Sequence, residues 1–377
     1  MAARYTPSIM AEPLDYKAAG VDYGQVDPLK LEAQRAARET AGHLASHGLA
    51  EVGSSRGESA YVVDAGDFYL ASITECLGTK ALLADAVRAL TGRSHYAGIA
   101  QDTLAMAVND LVTVGATPIS VHAYWAAGGS EWFADAERAR DLVRGWKEAC
   151  DRCRVSWGGG ETPALAGVVA PGAVDLAASC VGVVRPRSRL TLGERLSEGD
   201  AIVLLASSGI HANGITLARK VAERLPGGLG TLLPDGRSYG EALLAPTVLY
   251  PPVTEALFAA GIVPHYAAHV TGHGWRKLMR HPAAFTYRVH TVPPVPAELR
   301  FAQEHAGIDD REAYGTFNMG AGFALFLAPA EAEAAVRVAR GEGLPAWVAG
   351  RVERGDKRVV IEPVGIEYGA EELKLRA

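Results

Sequence analysis

The chain has 377 residues, 49% hydrophobic and 21% charged, with a net charge of -6. That length exceeds one ordinary core and points to two domains, while the composition excludes extensive disorder. An acidic chain without a Lys/Arg-rich block argues against non-specific binding of nucleic acid or anionic membrane, and leaves room for a locally basic pocket around a phosphorylated small molecule.

Met1 to Tyr16 lacks the basic start, apolar core and cleavage site of a secretory signal. No apolar run reaches the roughly 18 residues of a membrane span. Tyr16 to Asp22 reads as a loop or mobile arm, and Leu29 to His47 as a polar helix. Ala60 to Thr74 suits two strands joined at Asp64-Ala65-Gly66-Asp67. Thr79 to Leu90 is predicted helical, with Leu82, Leu83, Val87 and Leu90 at helical spacing and Gly92 as its stop. A second helix is predicted from Asp102 to Val114, then a strand from Pro118 to Trp125. Asp135 to Cys153 is an amphipathic helix with Leu142, Val143, Trp146 and Cys150 on one face. Strands follow near Val155 and at Val174 to Val184.

Pro186 to Asp200 is charged and lacks periodic apolar residues, so the boundary falls there. The predicted units are an arm and helix over 1–58, a first domain over 59–188 and a second over 189–377. The second half restarts with strand Ala201 to Ala206, a turn from Ser207 to Gly214 and a helix from Ile215 to Leu225. A helix around Glu241 to Ala260 is expected next. Strands near Ala267, at Phe285 to His290 and at Gly322 to Leu327 follow. Helix Pro329 to Gly341 and strand Ala346 to Val352 close the unit. Alternating strands and helices predict two α/β or α+β domains.

Four cysteines, Cys76, Cys150, Cys153 and Cys180, are too few for a disulfide framework and fit a reducing cytoplasm. Cys150 and Cys153 form a lone C-x-x-C without the further ligands zinc needs. They read as buried or incidental thiols.

The second predicted helix is apolar nearly all round yet carries Asp102, Asn109 and Asp110. Residues seven or eight apart return to one face, so all three can point one way. Buried carboxylates need a cation or a hydrogen-bond network. An oxygen cluster of this kind suits Mg²⁺. Spacing leaves equally open an N-cap at Asp102 with polar residues near a helix end.

Gly78-Thr79-Lys80 opens a helix and could seat a phosphate, with Glu75 beside it, although the full P-loop pattern is missing. Taken alone, a plain turn and N-cap explains it better. Gly158-Gly159-Gly160-Glu161-Thr162 follows a strand; its glycines allow close backbone approach to a ligand, and Glu161 could meet a cation, a hydroxyl or an amine. A flexible turn with a solvated glutamate is the plainer alternative. Ser207 to Gly214 gathers Ser207, Ser208, Gly209, His211, Asn213 and Gly214 between a strand and a helix, where open α/β sheets place ligands. His211 there could titrate near neutrality. Ala268 to Gly274 is another glycine-bearing turn, with Thr271 and Gly272.

In this order these segments resemble the phosphoribosylformylglycinamidine cyclo-ligase family, also called AIR synthase or PurM. The match runs from the arm with Lys17 through Gly78-Thr79-Lys80, Asp102 with Met106, Asn109 and Asp110, and Gly159-Gly160-Glu161-Thr162. It continues through Cys180 to Val184, Ser207 to Gly214, Leu243 to Thr247, Ala268 to Gly272 and Thr316 to Gly320. The resemblance implies a two-domain α/β subunit whose N-terminal sheets pair across a homodimer, with ATP bound near that interface. It implies a cytoplasmic enzyme of purine biosynthesis that uses ATP and Mg²⁺ to close formylglycinamidine ribonucleotide to aminoimidazole ribonucleotide.

On this reading the expected catalytic residues are Lys80, Glu161 and His211. Glu75, Gly78, Thr79, Lys80, Asp102, Asn109, Asp110, Gly159 and Gly160 would hold the nucleotide, with Glu75, Asp102 and Asp110 on the metal. Lys17, the Ser207–Gly214 turn, Thr271 and Gly272 would meet the phosphorylated substrate. The chain departs from the family pattern at Glu75 and Cys76, at Ala164 where an acid is usual, and at His273 in place of a glycine. These changes leave open a paralogue acting on another acceptor, or a nucleotide-binding protein without catalysis.

Overall fold

The structure, a computed structural model, describes residues 13–15, 17, 19, 20 and 22–376. Tyr16, Ala18 and Val21 of the expected arm lie outside the described residues.

Helix α1 (Tyr23–Glu39) starts where the Asp22 carboxylate accepts the Gly24 amide at 2.9 Å. It starts earlier than its apolar pattern indicates and gives way to a 3-10 stretch, Ala41–His47, ended by left-handed Gly48. Among the described residues, the first half then forms a six-stranded sheet of β1 (Ala50–Glu51), β2 (Tyr61–Asp64), β3 (Tyr69–Cys76), β4 (Thr117–Ala127), β5 (Ser156–Glu161) and β6 (Val174–Val184). Its order is β1-β2-β3-β6-β4-β5, and only β4 and β5 run parallel. Along β6 the burial alternates: Leu176, Ala178 and Cys180 face in, whereas Asp175 and Val181 face out.

Helices α2 (Lys80–Thr91), α3 (Tyr96–Val112), α4 (Glu131–Ala134) and α5 (Ala136–Cys153) belong to this half, and α3 packs against β3, β6 and α5. α3 is buried along nearly its whole length, as its all-round apolar surface requires. It begins at Tyr96, so Asp102 sits inside the helix and is not its N-cap.

Among the described residues, the second half forms a seven-stranded sheet of β7 (Ala201–Ala206), β8 (Tyr266–His269), β9 (Phe285–Val289), β10 (Ala321–Leu327), β11 (Ala346–Arg354), β12 (Arg358–Ile361) and β13 (Ile366–Gly369). The order is β13-β12-β9-β11-β7-β10-β8, antiparallel except for β9 with β12. Its helices are α6 (Ile215–Arg224), α7 (Tyr239–Leu243), α8 (Pro251–Ala259), α9 (Ala297–Ala306), α10 (Asp310–Thr316) and α11 (Pro329–Gly341). β7 and β10 are buried on both faces, which explains their unbroken apolar runs. The helix expected from Glu241 to Ala260 is two helices: Pro246, Pro251 and Pro252 break it, and Pro251 occupies the first turn of α8.

The result is a mixed α/β chain of two sheet-centred units. One apolar cluster runs through both; a second lies between β7, β10, α8 and α11.

Candidate active site

α3 sends Asp102, Asn109 and Asp110 toward the second half of the chain, but to different ends. Asp102 accepts the Thr247 amide at 2.7 Å and the Thr247 hydroxyl at 2.5 Å. The Lys80 ammonium donates to the same carboxylate at 2.9 Å and to the Ala245 carbonyl at 2.9 Å. Both side chains of this pair are 0% exposed. Burial pulls the Lys80 amine down and pushes the Asp102 carboxyl up, against the attraction between them. Asn109 donates to the Val248 carbonyl at 2.8 Å and accepts the Tyr250 amide at 2.9 Å. Asp102, Asn109 and Lys80 therefore fasten the segment 245–250 to the first half. Lys80, expected at the phosphates, and Asp102, expected at the metal, thus face each other as a buried pair in this seam. Gly78 is exposed with φ +74°, and the Thr79 hydroxyl pairs with that of Thr216 at 3.0 Å.

Asp110 faces a cavity of about 370 Å³. It is lined by Glu75 from the end of β3, Asp110 and Met106 from α3, and Gly57 to Ser59 from the first half, and by Asn213, Thr271, Gly272, His273, Lys277 and Arg280 from the second. α1 contributes Asp27, Lys30 and Gln34, and Lys374 and Leu375 complete the rim. Gln34 donates to the Leu375 carbonyl at 2.9 Å, joining helix and rim. The site is thus built from both halves and both ends of the described chain.

Its charges are arranged in opposition. Burial, then the charge of Asp110, pushes the Glu75 carboxyl up to about 7, against Lys277, Arg280 and Lys30. Burial also works against the Asp110 charge, but the His269 ring nitrogen at 2.6 Å, with Lys277 and Arg280, holds its pKa below the ordinary value. Burial and Arg280 bring the Lys277 amine down to about 8, while the two carboxylates oppose this. Lys277 also donates to the Thr271 hydroxyl. Arg280 is anchored on the Gly57 carbonyl at 2.9 Å and the Ser59 hydroxyl at 2.8 Å. His273 keeps a left-handed φ of +70°, a conformation that favours glycine, and its ring lies 3.4 Å from Asp27. Burial, then Lys277, lowers that imidazole to about 4.

The other expected residues lie elsewhere or face inward. Glu161 is exposed on edge strand β5, capping its neighbour's amide. Gly160 lacks a side chain for the sake of the sheet: a methyl there would collide with the Ala123 carbonyl of β4. Gly159 faces open space with φ +123°. His211 is buried, and burial, then His269 and Lys80, holds its pKa well below the ordinary value. Ser207 donates to Asn318 at 2.9 Å and Ser208 to the Pro246 carbonyl at 2.6 Å. Gly209, at φ +147°, leaves room for the Glu298 carboxylate, and Gly214 for the Phe317 ring. Of the Ser207–Gly214 turn, Asn213 lines the cavity. Thr271 and Gly272 line it. Lys17 pairs with Asp22 at 3.2 Å and does not line it. All four cysteines are free, and burial pushes Cys150, Cys153 and Cys180 up to about 12.

The sequence reading missed Lys277, Arg280, Lys30, Asp27 and Lys374. A signal existed for two of them: Lys277 and Arg280 interrupt the apolar run Trp275, Leu278, Met279 at three-residue spacing.

Family models of AIR synthase related proteins match the chain, the N-terminal domain over residues 57–184 and the C-terminal domain over 197–362. The chain is 34% identical over 358 residues to the phosphoribosylformylglycinamidine cyclo-ligase of Carboxydothermus hydrogenoformans, covering 93% of this chain and 99% of that protein. It is 35% identical over 365 residues to the same enzyme of an Anaeromyxobacter species, again covering 93% and 99%. Among solved structures, the hydrogenase maturation protein HypE in complex with ATP superposes with a TM-score of 0.57 at 19% identity, over 79% of this chain and 83% of that one. AaThiL complexed with AMPPCP and TMP superposes with a TM-score of 0.55 at 15% identity, over 83% and 90%. These structural likenesses concern the fold.

Proposed function

The chain belongs to the AIR synthase related family, and from that premise we propose that it is an ATP-dependent cyclo-ligase closing formylglycinamidine ribonucleotide to aminoimidazole ribonucleotide. The observation that carries this reading is the 34–35% identity to cyclo-ligases along nearly their whole length. In the reaction, the γ-phosphoryl group passes from ATP to the formyl oxygen. The amidine-side nitrogen attacks the formyl carbon, the C–O bond breaks and phosphate leaves, closing the ring. The protein must neutralise the transferring phosphoryl group and hold the two ends of one substrate in contact.

The cavity between Glu75 and Asp110 supports both tasks. Lys30, Lys277, Arg280 and Lys374 supply cations for phosphates. The Asp110 charge disfavours ionisation of Glu75 beside it, an arrangement that suits a divalent cation, and Glu75 and Asp110 would hold Mg²⁺ there. Among the described residues no third His, Cys, Asp or Glu completes a metal cluster, so phosphate and water oxygens would fill the shell. When bound, Mg²⁺ would offset charge on the phosphates. Asn213, Thr271 and Gly272 are placed to meet the substrate.

The outer face of the first sheet, with Ile119 and Val181 exposed, supports the expected pairing across a homodimer. Among the described residues no helix is long and apolar enough to cross a membrane. We place the enzyme in the cytoplasm, in keeping with its free cysteines.

A second reading, an ATP-dependent kinase or ligase for another acceptor, is favoured by His273, whose ring occupies the cavity wall where the family pattern has glycine. Purified protein with ATP, Mg²⁺ and formylglycinamidine ribonucleotide separates the two. Equal yields of ADP, phosphate and imidazole nucleotide support the cyclo-ligase; ADP without the imidazole product overturns it.

A further inference from the structure

A second cavity, of about 760 Å³, opens between the two halves and shares no lining residue with the one at Glu75 and Asp110. The first half brings Arg152 and Arg154 from the end of α5 and Thr117 from the start of β4. Arg189 comes from the connection between the halves. The second half brings Glu255 on α8 and Glu342 just after α11.

The charges in it do not cancel. One Glu255 oxygen accepts the Thr117 hydroxyl at 2.5 Å, and the other lies 3.4 Å from the Arg189 guanidinium. That guanidinium also sits over the Phe258 ring, 4.5 Å from its centroid. Glu255 and Arg189 therefore neutralise each other. Arg152 donates to the Gln101 side-chain oxygen at 2.7 Å, a neutral partner. Gln101 in turn donates to the Thr247 carbonyl at 2.7 Å, so Arg152 is steadied by the segment that Asp102 fastens. Among the described residues the Arg154 side chain makes no hydrogen bond or ion pair. Two uncompensated guanidiniums thus line the cavity, against one further carboxylate, Glu342.

Arg154 also occupies a position that disfavours a side chain. It ends α5 with φ 51° and ψ 40°, the left-handed conformation that commonly goes to glycine. A helix C-terminus does favour a cation, but Arg152 in the last turn already supplies one.

We propose that this cavity binds a small phosphate ester. Its phosphate would take Arg152 and Arg154, since a dianion matches two guanidinium forks in charge and in geometry. Its organic body would lie on the apolar part of the lining, Pro252, Ala256 and Ala259 of α8. The volume is far more than a bare phosphate fills and is of the size that holds a small organic ligand. Because the lining comes from both halves, the bound ester would bridge them and favour the folded chain. The site is separate from the proposed phosphoryl transfer and does not rest on that reading.

AMP is the probe, titrated calorimetrically while excess Mg·AMP-PCP occupies the first cavity, with inorganic phosphate as the reference. The wild-type chain should bind AMP and melt at a higher temperature with it. Arg154→Gly removes the guanidinium yet suits the left-handed backbone. It should therefore melt no lower than the wild type while its affinity for AMP falls about tenfold. Arg152→Gln should weaken AMP by a similar factor. Inorganic phosphate should bind about tenfold more weakly than AMP, for want of contacts with α8. Crystals with AMP should show its phosphate between Arg152 and Arg154. Absence of AMP binding, an affinity unchanged in both variants, or AMP seated only between Glu75 and Asp110 overturns the site. Phosphate that binds as tightly as AMP overturns the ester. Failure of Mg·AMP-PCP to bind counts against the nucleotide reading alone, and the AMP titrations and crystals still decide this one.

Discussion

The Lys80 ammonium and the Asp102 carboxylate meet at 2.9 Å in the seam between the two halves, with neither side chain exposed. With the Thr247 amide and hydroxyl on the same carboxylate, the pair ties the start of α2 and the middle of α3 to the segment before α8. Asp102→Ala leaves a buried ammonium without its counter-charge. The expected loss is about 3–5 kcal/mol of stability, whereas replacing both partners by apolar residues should be milder. Urea unfolding of the single and double variants checks this. An unchanged midpoint together with lost nucleotide binding would return Asp102 to the ligand site.

Asp110 is expected to behave in the opposite way. Asp110→Asn keeps an oxygen for the His269 ring and a folded protein, but removes a charge from the cavity. Affinity for Mg·AMP-PCP should fall on the order of 100-fold with the melting temperature nearly preserved. Calorimetric titration beside a thermal melt separates the two effects.

The glycines before Glu161 give a third contrast. A methyl at Gly160 meets the backbone of Ala123, whereas one at Gly158 meets the movable ring of His122. Gly160→Ala should therefore destabilise by about 1–3 kcal/mol by forcing β4 and β5 apart, and Gly158→Ala by much less. If these glycines instead made room for a ligand, Gly160→Ala would melt normally and bind poorly.

His281 supplies a pH dependence away from the cavity's carboxylates. Burial, then Arg376 and Lys357, lowers its imidazole from 6.5 to about 4. The unfolded chain binds this proton more readily, so the fold is favoured above about pH 6.5 and loses that contribution as pH falls toward 4. His281→Gln should flatten the decline in that window by about 1–2 kcal/mol. Melting curves from pH 7 to 4 test it; parallel curves for variant and wild type would contradict it.

Much of the fold was legible where one face of an element is buried by its own neighbours. β6 alternates cleanly, and α5 carries its apolar stripe. α3 announced its burial by being apolar all round. Short elements were harder. β12 and β13 are four residues each, and α9 carries charges among its few apolar positions, so neither pattern stands out. The site was legible as residue types, not as partnerships. Nothing local distinguishes Asp102, which meets Thr247, from Asp110, which meets His269, because each partner lies far along the chain. Glycine-rich loops invite a ligand reading, yet Gly160 and Gly214 make room for protein atoms.

Glu75 and Asp110 are proposed to hold the cation that presents a triphosphate. Crystals grown with Mn²⁺ and AMP-PCP test it through the anomalous signal of the metal. One strong peak shared by the Glu75 and Asp110 carboxylates is expected, with phosphates toward Lys277 and Arg280. A peak beside Glu161 or Gly78, or nucleotide bound while that cavity holds no metal, would contradict it.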